Sequence, residues 1–469
     1  MLCLATGLGL AACGGGTGSA AAPGLAVAAD TPAPAVTGAA ASTALRAPLA
    51  APTLPRASLV ATDLALLIAQ GDPLSEAIGL AYQRARGIPD AQVIRLALAT
   101  HSDAISADDF NALKAQLDAR LPANVQATLV TWARPSRVQG ACSMGLTSAL
   151  AFGYNPAMCG GCKATQASPY FDTDTSRPFT DLGLRPSMML GAPTLAAALA
   201  LIDRGLAAEG SAPPGTGYLV RTADTARSVR YPDFQALPAA WASPPGLALR
   251  YIDASAAGAA QGIGQGITQP ADVMFYFTGL AQVPGLDSLG FLPGAAADHL
   301  TSSAGLLPDG GGQMPVTAWL AAGATASYGT VEEPCNHPDK FPRASLLIEH
   351  YLRGATLIEA YWKSVAWPGQ GLFVGDPLAR PWAQAPEAVI AGDSLVVQTR
   401  SLRRNAPYRV DYRPYGGTAW QALGSMTAGQ PRPISWRLAL PADGAGGHLR
   451  WVGPCATQPA QLCVLAQSS

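Results

Sequence analysis

The chain has 469 residues, room for two or three domains, of which 49% are hydrophobic and only 13% charged. Lys+Arg 30 against Asp+Glu 31 leave a net charge of −1, which excludes the broad basic face of a nucleic-acid binder. No apolar run reaches the roughly 18 residues of a membrane-spanning helix, and the low charge reflects abundant Ala, Gly and Pro.

The opening stretch, MLCLATGLGLAACGGG, has a short apolar run and then Leu10-Ala11-Ala12-Cys13. It resembles a bacterial lipobox, in which the peptide is cut just before a cysteine whose thiol is acylated. Residues 1–13 are therefore expected to be a lipoprotein signal peptide with Cys13 as its lipidated residue. By the same resemblance, Gly14 fits outer-membrane sorting. The basic residues that normally open a secretory signal do not precede Cys13. Residues 14–56, rich in Ala, Pro, Gly and Thr with almost no charge, cannot bury a core and are expected to form a flexible tether. A lipid and a tether anchor a chain to a membrane without spanning it, which places the protein in the cell envelope.

Eight cysteines follow the same logic. Cleavage removes Cys3 and acylation uses Cys13, leaving Cys142, Cys159, Cys162, Cys335, Cys455 and Cys463, an even number for an oxidising compartment. Cys455 and Cys463 are expected to pair, and the other four to pair among themselves. The alternative, zinc at Cys142, Cys159 and Cys162, finds three nearby ligands where a structural site needs four. No metal and no cofactor are expected.

From residue 57 strands and helices alternate. DLALLIA (63–69) reads as a buried strand; Asp72 then caps a helix with Pro73 at its first position and Gly87 at its end. AQVIRLAL (91–98) is a second strand. Ser106 caps a helix bearing Phe110, Leu113 and Leu117, and ATLVTWA (127–133) is a third strand. This order predicts a mostly parallel sheet covered by helices on both faces. Residues 136–185 interrupt it with three cysteines, many Gly and Pro, and Asp172, Asp174 and Asp181. So long an insertion is expected to be functional or a subdomain. Its aspartates read as solvated turn residues, with oxygen ligation of calcium as the alternative. The alternation resumes with PSMML (186–190), a helix with Leu195, Leu199, Ile202 and Leu206 marking one face, and the strands GYLVRTA, LALRYID and VMFYFTG. DHLTSSAG (298–305) reads as a further strand, followed by a short helix in PVTAWLAAG, the strand ATASYGTV, and a helical pair whose second member opens on the capping box Thr356-x-x-Glu359. GIGQGIT (262–268) is a weak phosphate-loop pattern because it precedes a strand. Short runs separated by Gly/Pro turns over 387–469 predict a small β-sandwich.

FYFTGL, HLTSSAGLL and the closing section TAWLAAGATASYGTVEEP…LIEHYLRGATLIEAYWKSVAWPGQGLFVGDPLARP together resemble the caspase-like, gingipain-type cysteine peptidases. ASYGTVEEP, EAYWKSVAWPGQGLF and GDPLARP also look like motifs of a family of secreted bacterial proteins without an assigned activity, over residues 57–385. The resemblance implies a caspase-like α/β domain at 57–385, carrying the insertion at 136–185, followed by a β-sandwich at 386–469. It also implies a catalytic histidine after the Gly of the first strand and a cysteine at the end of the next. In this chain those positions hold Leu280 and Ser303, or Ser302 if the register slips by one. Without the general base, a serine hydroxyl is a poor nucleophile.

The expected function is thus a lipid-anchored, non-catalytic binding or assembly protein with a degenerate dyad site. Its partners are the membrane and a protein or peptide ligand, with no nucleic acid. Glu332, Glu333 and His337, after a strand end, are the candidate binding residues. The alternative is an envelope hydrolase or peptidase using Ser303 (or Ser302) or Cys335 with His299. His350 reads as packing or surface, and Trp362, Trp367 and Lys363 as interhelical packing.

Overall fold

The computed structural model describes residues 49–241, 246–256, 267, 269–441 and 446–468. Cys13, expected to be lipidated, most of the expected tether and the GIGQGIT pattern, apart from Ile267, lie outside the described residues.

The chain opens as its caps dictate. Strand β1 (Leu64–Ala69) is buried along its length and leads into α1 (Pro73–Arg86). Asp72 accepts the Ser75 N–H at 2.8 Å, Pro73 has no N–H that would need an acceptor, and Gly87 ends the helix in the left-handed region at φ 64°. After β2 (Val93–Leu96) and β3 (Ala104–Ser106), Ser106 caps α2 (Ala107–Arg120), which buries Phe110, Leu113 and Leu117. Strand β4 (Ala127–Val130) precedes the insertion, which contains β5 (Arg137–Gln139), β6 (Ser143–Gly145), α3 (Leu146–Phe152) and α4 (Pro178–Leu182). Next come β7 (Ser187–Met189), α5 (Leu195–Ala208), β8 (Gly215–Arg221), α6 (Tyr231–Ala240), β9 (Leu247–Asp253), β10 (Val273–Gly279) and β11 (Phe291–Leu300). The α/β part closes with α7 (Thr317–Ala322), β12 (Ala326–Thr330), α8 (Ala344–Leu352), α9 (Leu357–Ser364) and β13 (Gly371–Gly375). Thr356 and Glu359 form the expected capping box on α9.

Ten strands form one sheet in the order β2-β1-β4-β7-β13-β12-β11-β10-β8-β9. Pairing is parallel within β2-β1-β4-β7-β13 and within β12-β11-β10-β8-β9, and antiparallel only between β12 and β13. This mixed α/β architecture, with a large, mostly parallel sheet, matches the expected class. The antiparallel seam splits the sheet into two halves whose carboxyl ends emerge at opposite edges.

Three local expectations are corrected. On α5, Leu195, Leu199 and Leu206 are exposed, and the buried stripe is Ala198, Leu201, Ile202, Gly205 and Ala208. The reason is steric: a Cβ on Gly205 would stand 1.8 Å from Asp376 Oδ2 and 2.7 Å from Arg86. The small-residue face therefore lies against α1 and the buried Arg86–Asp376 pair (2.5 Å). Second, 298–305 is not one strand, because β11 ends at Leu300. Third, residues 49–56 of the supposed tether pack on the C-terminal part, where Leu54 is buried and Leu49 and Ala51 border the same apolar cluster.

The sandwich comprises β14 (Glu387–Ala391), β15 (Ser394–Thr399), β16 (Pro407–Pro414), β17 (Gln421–Thr427), β18 (Ile434–Ala439), β19 (Gly447–Pro454) and β20 (Leu462–Gln467). Antiparallel sheets β14-β15-β18 and β17-β16-β19-β20 enclose Leu395, Val397, Val410, Leu449 and Trp451. Over the described residues, sandwich and α/β part form a single compact unit. The insertion makes part of the joint: Arg403 reaches both Asp172 and Asp174 at 3.0–3.1 Å, and Arg353 holds Asp174 at 2.8 Å. These aspartates are thus neither solvated turn residues nor calcium ligands here. Burial raises both carboxyls, but His350 and Arg403 hold Asp172, and Arg353 and Arg403 hold Asp174, below the ordinary range. Asp181 pairs with Arg177 at 2.9 Å.

Candidate binding surface at the ends of β10, β11 and β12

β10 and β11 end side by side, with Gly279 opposite Leu300, and β12 runs parallel next to β11. The segments that follow these three strands therefore gather at one sheet edge, where the resemblance puts the dyad. Gly279 is required by a close approach: a Cβ there would lie 1.9 Å from the Arg227 carbonyl oxygen. Leu280, the histidine-equivalent position, is buried in an apolar cluster with Tyr276, Val283, Met314 and Trp319. It fills core space.

His299 faces the same cluster. Trp319 Nε1 donates to its Nδ1 at 2.9 Å, which fixes the proton on Nε2, and Nε2 donates to the Met314 carbonyl at 3.1 Å. Burial pushes its pKa down to about 3. Its neighbour Asp298 points to the opposite face and pairs with Arg230 at 2.6 Å, as strand alternation requires.

Beyond Leu300 the chain turns into a loop organised by Gln313. Its Oε1 accepts from Thr301 Oγ1 at 2.7 Å, Ser302 N at 2.8 Å and Ser303 N at 3.0 Å. Ser303 Oγ gives its proton to the Gly310 carbonyl at 2.5 Å and lies 3.2 Å from Gln313 Oε1. Gly310, Gly311 and Gly312 all have positive φ (72°, 58° and 86°), which lets the loop double back and aim Gln313 at the strand end. Neither Ser303 nor His299 has the other as a hydrogen-bond partner.

Cys335 is bonded to Cys162, and Cys142 to Cys159, so Cys335 carries no free thiol; Cys455–Cys463 is the third disulfide. The Cys162–Cys335 link brings the two segments singled out from the sequence together. Glu332 accepts the Gly160 N–H at 3.2 Å, His337 Nε2 bonds the Cys162 carbonyl at 2.9 Å, and Lys340 Nζ donates to the Gly161 carbonyl. Glu333 caps its own turn through Cys335 N at 2.7 Å and is exposed. Burial lowers the Lys340 pKa to about 8 against the opposing charges of Glu332 and Glu333. Sulfurs and carboxylates cluster tightly in two groups, Cys142, Cys159 and Glu332, and Cys162, Cys335 and Glu333, but disulfide bonding withdraws their thiolates from metal binding.

Sequence reasoning missed Gln313 and Lys340. The glycine run before Gln313 was a readable sign of a sharply folded loop, whereas nothing local marks Lys340, whose partner is 179 residues away. His350, Lys363 and Trp362 lie elsewhere. His350 is buried and bonded to Asp172 at 3.1 Å, with its pKa pushed down to about 4 by burial, and Lys363 sits 3.8 Å from Glu359. Trp362 stacks on Phe373 of β13 at 4.3 Å and meets Phe152 of α3 at 5.8 Å, so it packs between that helix and the sheet.

Comparison with protein-family models, with curated proteins and with solved structures finds no match for this chain. Its function rests on the geometry.

Proposed function

We propose that the chain is a lipid-anchored cell-envelope protein that binds a protein or peptide ligand on a peptidase-like, caspase-like scaffold without cleaving it. The observation that carries the reading is the state of the strand ends. Leu280 is a core side chain, and the Ser303 hydroxyl is spent on a backbone carbonyl. Cys335 is a disulfide partner, and both His299 nitrogens are committed. General-base activation needs an imidazole within hydrogen-bond reach of the nucleophile. Binding needs only a fixed surface, and Cys162–Cys335 supplies one by locking the insertion to the Glu332–His337 segment. The carboxylates of Glu332 and Glu333 favour a cationic group in the ligand.

The test uses the full chain in detergent with a serine/cysteine-reactive probe and a mixed peptide library. Neither labelling of Ser303 nor peptide cleavage is expected, while library members carrying Lys or Arg are retained. Replacing Glu332 and Glu333 together with Gln is expected to weaken their retention about tenfold, the loss of about 1.4 kcal/mol. Labelling of Ser303 with cleavage would instead establish the hydrolase alternative.

A further inference from the structure

The sandwich carries a charge that the rest of the chain lacks. Residues 386–469 hold eight of the 30 Lys+Arg but only four of the 31 Asp+Glu. Arg400, Arg403 and Arg404 turn to the α/β part, where they meet the Leu352 carbonyl, Asp174 and Glu349. Three others gather on the outer face of the sheet β17-β16-β19-β20. Its inner face buries Tyr408, Val410, Tyr412, Leu449 and Trp451 in the sandwich core. Strand alternation then turns Arg409, Arg413 and Arg450 outward. Asp411 shares their face and is the one carboxylate of these four strands. It is buried between Arg409 at 2.6 Å and Arg450 at 2.8 Å. Arg413 has no ion pair among the described residues; its guanidinium and that of Arg450 lie 4.8 Å and 4.3 Å from the Trp420 ring. Three guanidiniums against one carboxylate leave this face positive.

Edge strand β20 adds apolar surface to the same side. Val452 pairs with Arg409 on one flank and with Val464 on the other, so Val464 and Leu462, two residues before it, share the face of the arginines. Val464 is 50% exposed and Leu462 56%. Guanidinium groups select an anion with phosphate-like oxygens. The aliphatic side chains beside them select a surface that is apolar just below its charge. A soluble polyanion meets the first demand and fails the second, whereas anionic headgroups over acyl chains meet both. An acidic protein would meet both too; the path of the chain favours the bilayer. Leu49, Ala51 and Leu54, which follow the expected lipid attachment in the sequence, pack against the sandwich core, so an acyl anchor would act through this part of the molecule. That last point rests on the lipid-anchored reading; the charge and the apolar surface do not. We propose that the outer face of β17-β16-β19-β20 docks on an anionic lipid surface, with Arg409, Arg413 and Arg450 at the headgroups and Leu462 and Val464 reaching the acyl boundary.

The experiment is flotation with vesicles of phosphatidylglycerol and of phosphatidylcholine. Residues 14–469 keep the whole compact unit and lack Cys13, so no acyl chain contributes. The lipid-anchored reading is tested separately, by mass spectrometry of Cys13 in the full chain. The protein is expected to float with phosphatidylglycerol and not with phosphatidylcholine, and to be released as salt rises. Arg413→Gln, which breaks no ion pair among the described residues, weakens binding about fivefold, the share of one guanidinium at an anionic surface. Leu462→Ser with Val464→Ser, both outside the core, weakens it roughly tenfold or more. Equal binding to both vesicles, or undiminished binding by both variants, would overturn the proposal. So would binding to neither vesicle, which would leave an acidic protein as the occupant. Retention on dextran sulfate as strong as on vesicles, and indifferent to Leu462→Ser with Val464→Ser, would overturn it in favour of an acidic polysaccharide.

Discussion

His299 and His350 are each more useful to this protein neutral than charged. Burial holds their folded-state pKa values at about 3 and about 4, while an unfolded chain titrates near ~6.5. Arg230 and Arg227 add to the effect at His299; at His350, Lys363 and Arg353 act in the same direction while Asp172 and Asp174 oppose it. As pH falls below ~6.5 the unfolded state takes up protons that the folded state refuses, so the contribution present above that pH is progressively lost. Each histidine should cost about 1.4 kcal/mol of stability per pH unit between roughly pH 6 and pH 4.5. Asp298, whose carboxyl burial raises, acts in the opposite sense. Urea unfolding at pH 7, 6 and 5 is expected to show this decline, and His299→Gln to make it about half as steep. A stability that stays flat over the range would contradict the buried, neutral assignment.

Among the elements, the loop between β11 and α7 depends most on one side chain. Gln313 Oε1 serves Thr301 Oγ1 and the Ser302 and Ser303 amides at once. Gln313→Ala leaves these donors without their acceptor, at about 1–3 kcal/mol for any that stays buried. Amide exchange at Ser302 and Ser303 should accelerate roughly tenfold or more, with β10 unchanged as an internal reference. Elements of this size were legible wherever their cause is local. Asp72, Ser106 and the Thr356–Glu359 box each mark a helix start, because a cap acts within three residues. The phase of α5 was not legible, because Leu spacing alone cannot reveal that Asp376, far along the chain, demands Gly205 beside it. Strands β14 and β20 carry little periodic signal for a related reason. They lie at sheet edges and leave apolar residues such as Val389, Leu462 and Val464 in solvent.

At the scale of the molecule, the joint between α/β part and sandwich rests on buried charge. Arg403 is 16% exposed and meets Asp172 and Asp174, which Arg353 also engages. Removing Arg403 leaves Asp174 with Arg353 and Asp172 with His350, so Arg403→Ala should destabilise the protein by about 1–3 kcal/mol. Limited proteolysis is expected to cut the variant between residues 383 and 393 and leave the native chain intact there. Of the candidate site, the sequence showed the residue types but not their company. That Cys335 pairs with Cys162, and that Asp172 and Asp174 face arginines, depends on contacts more than 170 positions apart. Such contacts leave no periodic trace.

The insertion at 136–185 touches both ends of this arrangement. Through Cys162 it is fastened to the Glu332–His337 segment, and through Asp172 and Asp174 it is clamped to Arg403 of the sandwich. It therefore behaves as a strut with a covalent rivet at one end and an ionic hinge at the other. A reductant loosens the first, while the second, largely buried, is screened by salt less than a surface pair, so a load applied to the carboxyl-terminal sandwich travels to the Glu332–His337 segment only while both fastenings hold.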